Sequence, residues 1–147
     1  MFRPILLALL VVAANGRTSD QTNSILAGCY ETASLTSNTS DSTITLIPKQ
    51  FELLRTNTMP WLGGFPVHSL TNTRERPPFE NLWRWKPQSR SQVWIAFSTG
   101  FGGFKGTLKK SGNGELRGKL KEWCDGRCGW RLRTATLSIR SIACEPK

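Results

Sequence analysis

The sequence predicts an all-β protein: a single antiparallel up-and-down β-barrel of about eight strands that follows an N-terminal signal peptide. Three observations favour this fold. Short runs of alternating apolar and polar residues recur along the chain, turn residues separate them at hairpin distances, and no stretch keeps the 3.6-residue period of an amphipathic helix. A meander of many short strands avoids exposed edges by closing on itself, which favours a barrel over an open sheet.

The first 16 residues have the organisation of a secretory signal peptide. Arg3 supplies a positive charge, an apolar run extends from Ile5 to Ala14, and the small residue Gly16 follows. The run is about half as long as the roughly 20 residues that a membrane-spanning helix requires. We therefore expect cleavage after Ala14 or Gly16 and an exported protein, secreted or periplasmic. Residues 17–147 would form one domain without a transmembrane segment.

Charge and cysteine content indicate the compartment and the kind of partner. The chain has 20 Lys and Arg against 10 Asp and Glu, a formal net charge of +10, so anionic partners are favoured over cationic ones. In an exported protein, four cysteines favour disulfides over metal ligands. Four cysteines allow three connectivities. The tight loop between Cys124 and Cys128 favours a bond there, which leaves Cys29 to pair with Cys144 and to join the first strand to the last.

In the first half of the chain the β-type runs are short and separated by polar loops. They are predicted at Ile25–Leu35, Thr43–Ile47 and Phe51–Arg55. From Met59 to Pro78 the chain is irregular and rich in proline and glycine, so we expect a long ordered loop there.

The middle of the second half shows regular alternation. Trp83 and Trp85 alternate with polar neighbours in a strand predicted at Asn81–Lys86. A second strand, Gln92–Thr99, places Val93, Ile95 and Phe97 on one face and Trp94 on the other. A glycine-rich turn then leads into a third, Phe104–Lys109.

The clearest strand is predicted at Glu115–Trp123, where Leu116, Gly118 and Leu120 alternate with basic residues. The last strand begins near Trp130, and its inward set slips by one position before Ala135, Leu137 and Ile139, which indicates a bulge near Thr134–Thr136. Gly106 and Gly118 lie in mid-strand on apolar faces. Each either admits a neighbouring backbone or leaves room for something bound.

The start of the first strand carries a resemblance to a known family. Gly28, Cys29 and Tyr30 resemble the Gly-x-aromatic opening of lipocalin-like, calycin-type barrels, although Tyr30 stands where Trp is usual, and avidin-like barrels begin in a similar way. The resemblance covers these few positions only. It implies a barrel with a ligand cavity, in which an arginine from near the end of the chain, here Arg140, stacks on the aromatic ring.

Catalytic chemistry is not predicted. His68 is the only histidine, and it does not belong to a recognisable catalytic motif with a Ser, Cys or carboxylate. No glycine-rich phosphate loop follows a strand and opens a helix. We therefore expect a non-enzymatic binding protein with no cofactor and no metal.

Six tryptophans suggest a binding site inside the barrel. If Trp83 and Trp85 share a face with Trp94 on the neighbouring strand, they and Trp61 would line a cavity for a small apolar or amphipathic molecule. The alternative for each tryptophan is a place in the hydrophobic core, since the side chain buries a large area.

Basic residues offer a second site, on the surface. Arg117, Lys119 and Lys121 fall on outward positions of one predicted strand, and Arg131 and Arg133 on those of the next, so the five should form one stripe. Such a stripe suits an anionic polymer, either an acidic glycan or envelope lipid, and export disfavours nucleic acid. The alternative is a solvated, edge-protecting surface. A third possible function is inhibition of another secreted protein through a protruding loop at 59–66.

Overall fold

Eight strands form a closed antiparallel barrel in the computed structural model, which describes residues 25–38, 46–55, 63–70, 79–126 and 132–146. The strands are β1 (Gly28–Ser37), β2 (Gln50–Leu53), β3 (Phe65–Ser69), β4 (Arg84–Ser89), β5 (Gln92–Ser98), β6 (Gly102–Lys110), β7 (Leu116–Cys124) and β8 (Thr134–Ile142). Each pairs with its chain neighbours, and β8 pairs with β1. The predicted barrel is thereby confirmed. The predicted signal peptide lies outside the described residues, within which no helix is long and apolar enough to cross a membrane.

The barrel forms because apolar side chains recur at every second position. In β5, Val93, Ile95 and Phe97 are fully buried, as the alternation predicts. In β7, Leu120 is fully buried while its neighbour Lys119 is exposed. One face of each strand therefore supplies the core, and the other face forms the outer wall.

Aromatic rings in contact cross the interior of the barrel. The ring centroids of Tyr30 and Phe51 lie 6.3 Å apart, those of Phe51 and Phe97 5.7 Å, and those of Phe97 and Trp83 5.2 Å. The last two pairs meet edge to face, the arrangement that aromatic quadrupoles favour. The core is thus built around a row of four rings.

A disulfide ties the two strands at which the ring closes. Cys29, in β1, is bonded to Cys144, just after β8, with their Cα atoms 5.3 Å apart. This confirms the predicted bond between the first and last strands. Cys124 is also disulfide-bonded, and Cys128, the partner predicted for it, lies outside the described residues.

Two mid-strand glycines allow β6 and β7 to approach closely. A Cβ on Gly118 would lie 2.1 Å from the backbone oxygen of Thr107, and one on Gly106 would lie 2.3 Å from that of Lys119. Of the two explanations that the sequence allowed, the neighbouring backbone occupies the space.

The count of strands agrees with prediction, but two elements differ. Phe65–Ser69 is a strand, although it lies in the segment predicted as a loop, and its Val67 is fully buried. It tolerates Pro66 because its ladder with β4 is only two residues long. Conversely, Leu46 and Ile47, predicted as the end of a strand, belong to no strand: Leu46 lies in a 3-10 turn and Ile47 in a bend, with Ile47 buried in the core. The rest of that predicted strand lies outside the described residues.

The one-residue shift in strand register, predicted within the last strand, also lies elsewhere. β8 keeps a constant register against β7 from Thr134 onward, so the bulge predicted near Thr134–Thr136 is wrong. The register shifts instead between β1 and β8, where Ala33 is the extra residue between Thr32 and Ser34. Leu132 precedes β8 and is exposed, so the apparent slip marks the start of the strand.

Candidate anion-binding surface

The outer wall formed by β4–β7 carries seven cations on three of its four strands, and this surface is here called the basic face. Its members occupy outward positions: Arg84 and Lys86 on β4, Lys105 and Lys109 on β6, and Arg117, Lys119 and Lys121 on β7. The four strands contain a single acidic residue, Glu122, which has the opposite orientation to Lys121 and binds Arg133. No carboxylate is interspersed among these cations on the strands themselves.

Within the basic face, like charges lie directly opposite one another. Lys105 pairs with Lys121 and Lys109 with Arg117 in the β6–β7 register. Side chains directly opposite have Cβ atoms about 5 Å apart, so each pair is repulsive. In the part of the chain that the structure describes, the side chains of Lys109, Lys119 and Lys121 make no hydrogen bond or ion pair. The charges of these three side chains are therefore not paired with a carboxylate of the described residues.

Two tryptophans lie among these cations. The Arg84 guanidinium and the Lys86 ammonium each lie 5.5 Å from the centroid of the Trp94 ring, and the Lys105 ammonium lies 5.6 Å from that of Trp123. These are cation–π distances, at which the ring stabilises the cation without neutralising it. The two rings hold three of the cations against the wall.

The tryptophans predicted to line a cavity divide between the two faces of the barrel. Trp83 and Trp85 point inward and are fully buried. Each indole N–H donates to a backbone carbonyl at 3.0 Å, that of Trp83 to Ser98 and that of Trp85 to Leu54. Both side chains are thus satisfied members of the core.

Trp94 does not join them. It stands between the inward residues Val93 and Ile95, and its position in the alternation directs it to the outer wall beside Lys86. The expectation that Trp94 lines the interior is therefore wrong. Trp61 lies outside the described residues.

The predicted basic stripe is present on one strand and altered on the next. Arg117, Lys119 and Lys121 are exposed together along β7, as expected. Arg133 instead binds the carboxylate of Glu122. Its Nη2 lies 2.6 Å from Oε1, its Nε 3.0 Å from Oε2, and its backbone N–H also donates to Oε2 at 3.0 Å. These bonds lower the pKa of Glu122 below its ordinary value. Arg131 lies outside the described residues.

The extension of the surface across β4 and β5 was missed from the sequence. The alternation in the sequence did carry a signal for it. Arg84 lies between the buried Trp83 and Trp85, and Lys86 follows Trp85. The alternation that sends the two tryptophans inward sends the two cations outward.

The stacking implied by the lipocalin resemblance is not formed. The Tyr30 ring lies inside the barrel against Phe51, its hydroxyl donates to the carbonyl of Leu26 at 2.8 Å, and burial raises its pKa. Arg140 lies opposite Glu31 in the β1–β8 register and binds that carboxylate on the outer wall, with Nε 2.8 Å from Oε1. The two side chains are on opposite faces of β1 and β8, so Arg140 has no access to the ring.

The barrel thus combines a wide cationic wall with a packed aromatic core. Clefts of about 680 and 410 Å³ lie over β1 and β2, lined by residues such as Glu31, Gln50 and Leu70. Comparisons with protein-family models, with curated proteins and with solved structures find no match for the chain.

Proposed function

We propose that this protein is a non-enzymatic, exported binding module whose basic face holds an anionic polymer or an anionic envelope surface. The observation that carries the proposal is that two like-charge pairs, Lys105 with Lys121 and Lys109 with Arg117, lie opposite one another in the register of strands whose one carboxylate, Glu122, has the other orientation. Like charges opposite one another destabilise a sheet, and a surface that serves only solubility mixes the two signs. A bound polyanion would relieve this repulsion.

The dimensions of the basic face favour an extended ligand over a single small anion. Four strands spaced at about 4.8 Å give a width near 14 Å, and alternate residues along β7 are about 6.7 Å apart. Seven cations spread over such an area contact many anionic groups weakly, which is how polyanions are held and why their binding depends on salt. Export is supported by the Cys29–Cys144 bond, since disulfides persist in oxidising compartments.

The packed interior of the barrel is a poorer candidate for a ligand site than the basic face is. Trp83 and Trp85 contact other core rings and have satisfied indole groups, and Trp94 lies outside. A small apolar ligand would have to displace these contacts, at the cost of the packing that they provide.

Heparin affinity chromatography of the processed protein tests the proposal. The variant Lys119→Gln/Lys121→Gln removes two charges from the basic face, and the matched control Lys49→Gln/Arg55→Gln removes two exposed charges from other parts of the described surface. We expect the wild type and the control to be retained at low salt, and the first variant to elute at a clearly lower salt concentration because fewer ion contacts are made.

Two outcomes would contradict the proposal. If both double variants lose retention equally, net charge alone drives binding and the basic face has no special part in it. If the wild type passes through the column at low ionic strength, the wall does not bind polyanions at all.

A further inference from the structure

Large hydrophobic side chains are exposed at one end of the barrel. Phe79 is 45 % exposed, Leu132 54 % and Phe101 76 %; these three are here called the apolar rim. Phe101 lies in the turn between β5 and β6, and Leu132 lies just before β8, at the same end of the wall. Exposed apolar side chains that gather at one place mark a contact with an apolar phase or partner.

The turn that carries Phe101 is fixed rather than loose. The N–H of Thr99 donates to the carbonyl of Gly102 at 2.7 Å, and the N–H of Asp125 donates to the carbonyl of Phe101 at the same distance. Gly100 has φ +91°, and the Phe79 ring lies where a side chain on Gly100 would be, 2.9 Å from its Cβ position. The backbone therefore holds Phe101 outward, and its neighbour Gly100 packs against the Phe79 ring.

The apolar rim adjoins the basic face. Phe101 and Trp123 line one small cleft of about 190 Å³ together with Arg133. The ammonium of Lys105 lies over the ring of that same Trp123, and Lys121 lies opposite Lys105. From the tip of the barrel along its side, the surface is thus formed first by the apolar rim, then by a half-buried tryptophan, and then by cations.

This order matches the layers of an anionic membrane surface. Phenylalanine and leucine enter the boundary of the acyl chains, tryptophan lies at the headgroup level, and lysine contacts anionic headgroups. Each such cation near the surface adds to the attraction. A soluble acidic polymer would satisfy the cations but offers no apolar phase for Phe101.

We infer that the anionic partner is a lipid bilayer, on which the barrel docks by its apolar rim, with Phe101 inserted and Lys105 and Lys121 on the headgroups. This inference rests on the proposed function, because it assigns the ligand of the same basic face. It adds a residue, Phe101, whose contribution does not depend on charge.

Co-sedimentation with vesicles tests the inference. The processed protein is mixed with vesicles of phosphatidylcholine alone or with about 30 % phosphatidylglycerol, at low salt. Phe101→Ser removes the inserted side chain. The matched control Ile25→Ser changes an isoleucine that is 54 % exposed and precedes β1, at the opposite end of the barrel, where the start of β1 pairs with the end of β8. We expect wild type and control to bind the anionic vesicles, and Phe101→Ser to bind roughly tenfold more weakly, since one buried aromatic side chain is lost.

Heparin retention of the same variants separates this inference from the function on which it rests. Phe101→Ser should elute with the wild type, because the cations are unchanged, and both should give the same circular dichroism and thermal midpoint. Binding to heparin without binding to anionic vesicles would overturn the inference that the partner is a bilayer and leave the polyanion proposal standing. Equal vesicle binding by wild type and Phe101→Ser would overturn insertion of the rim. Binding to neither ligand would overturn both proposals.

Discussion

Replacing Lys121 with glutamate is expected to stabilise the fold while weakening polyanion binding. Lys121 faces Lys105 across β6–β7 and the uncharged Thr134 across β7–β8. Two unit charges about 7 Å apart in water interact by roughly 0.6 kcal/mol. Lys121→Glu removes one repulsion of that size and introduces a comparable attraction. Allowing for the mobility of exposed side chains, the expected gain is about 0.5 to 1 kcal/mol at low salt.

Urea unfolding followed by circular dichroism measures this gain. Urea is required because guanidinium chloride is itself a salt and would screen the interaction. The unfolding midpoint should rise with an unchanged m-value, and the rise should vanish near 1 M NaCl, where the Debye length is about 3 Å. The matched control is Lys119→Glu, since Lys119 faces the uncharged Thr136. It should gain less stability, while both variants elute from heparin at lower salt.

A destabilised or unchanged Lys121→Glu at low salt would refute the reasoning. The same holds for a gain that persists at high salt, or one that Lys119→Glu reproduces in full. In each case the facing lysines would not repel, and the basic face would lose the observation that distinguishes it from a solvated surface.

Three further predictions concern the fold. Cys29→Ala/Cys144→Ala should lose about 5 kcal/mol of stability in urea, because the bond spans a sequence separation of 115 residues, and an unchanged midpoint would contradict the chain-entropy argument. Gly118→Ala should cost roughly 1 to 3 kcal/mol, since its Cβ would meet a backbone oxygen of β6, whereas Gly112→Ala, with no atom within 4 Å, should be near neutral by the same measurement. The pKa of Glu122 is lowered in the folded state, so the stability that its ion pair contributes is present above the unfolded pKa and is lost as pH falls through the folded pKa. Glu122→Gln should therefore make thermal stability depend less on pH in the acid range. An unchanged pH dependence would count against the ion pair.

The parts of the fold that the sequence predicts well are those in which periodicity and burial agree. Val93, Ile95 and Phe97 alternate without interruption, and so do Leu116 and Leu120 on β7; all are buried as expected. The Cys29–Cys144 bond follows from elimination once Cys124 is assigned locally. These inferences need only local patterns.

Elements whose structure depends on distant contacts were harder to predict. Val67 is buried in a five-residue strand, but the glycines and prolines around it are typical of a loop, and only pairing with β2 and β4 makes it a strand. Ile47 is the converse, an apolar residue that covers the core without pairing.

The candidate site divides in the same way. The cations of β7 were placed correctly from their alternation, whereas their pairing with Lys105 and Lys109 required the register between β6 and β7. Phe101 carried no signal in the sequence, because only the structure shows that a phenylalanine in a glycine turn remains exposed.

The disulfide between residues 29 and 144 holds the two ends of the barrel-forming chain together, which bears on how the strands could be connected. Around this ring, every wall segment adjoins the segments that precede and follow it in sequence, and the last adjoins the first. A ring of this kind has no structurally privileged starting point. A circularly permuted gene that links the disulfide-bonded ends and opens the chain at the exposed turn of Gly112 and Asn113 should therefore encode the same barrel.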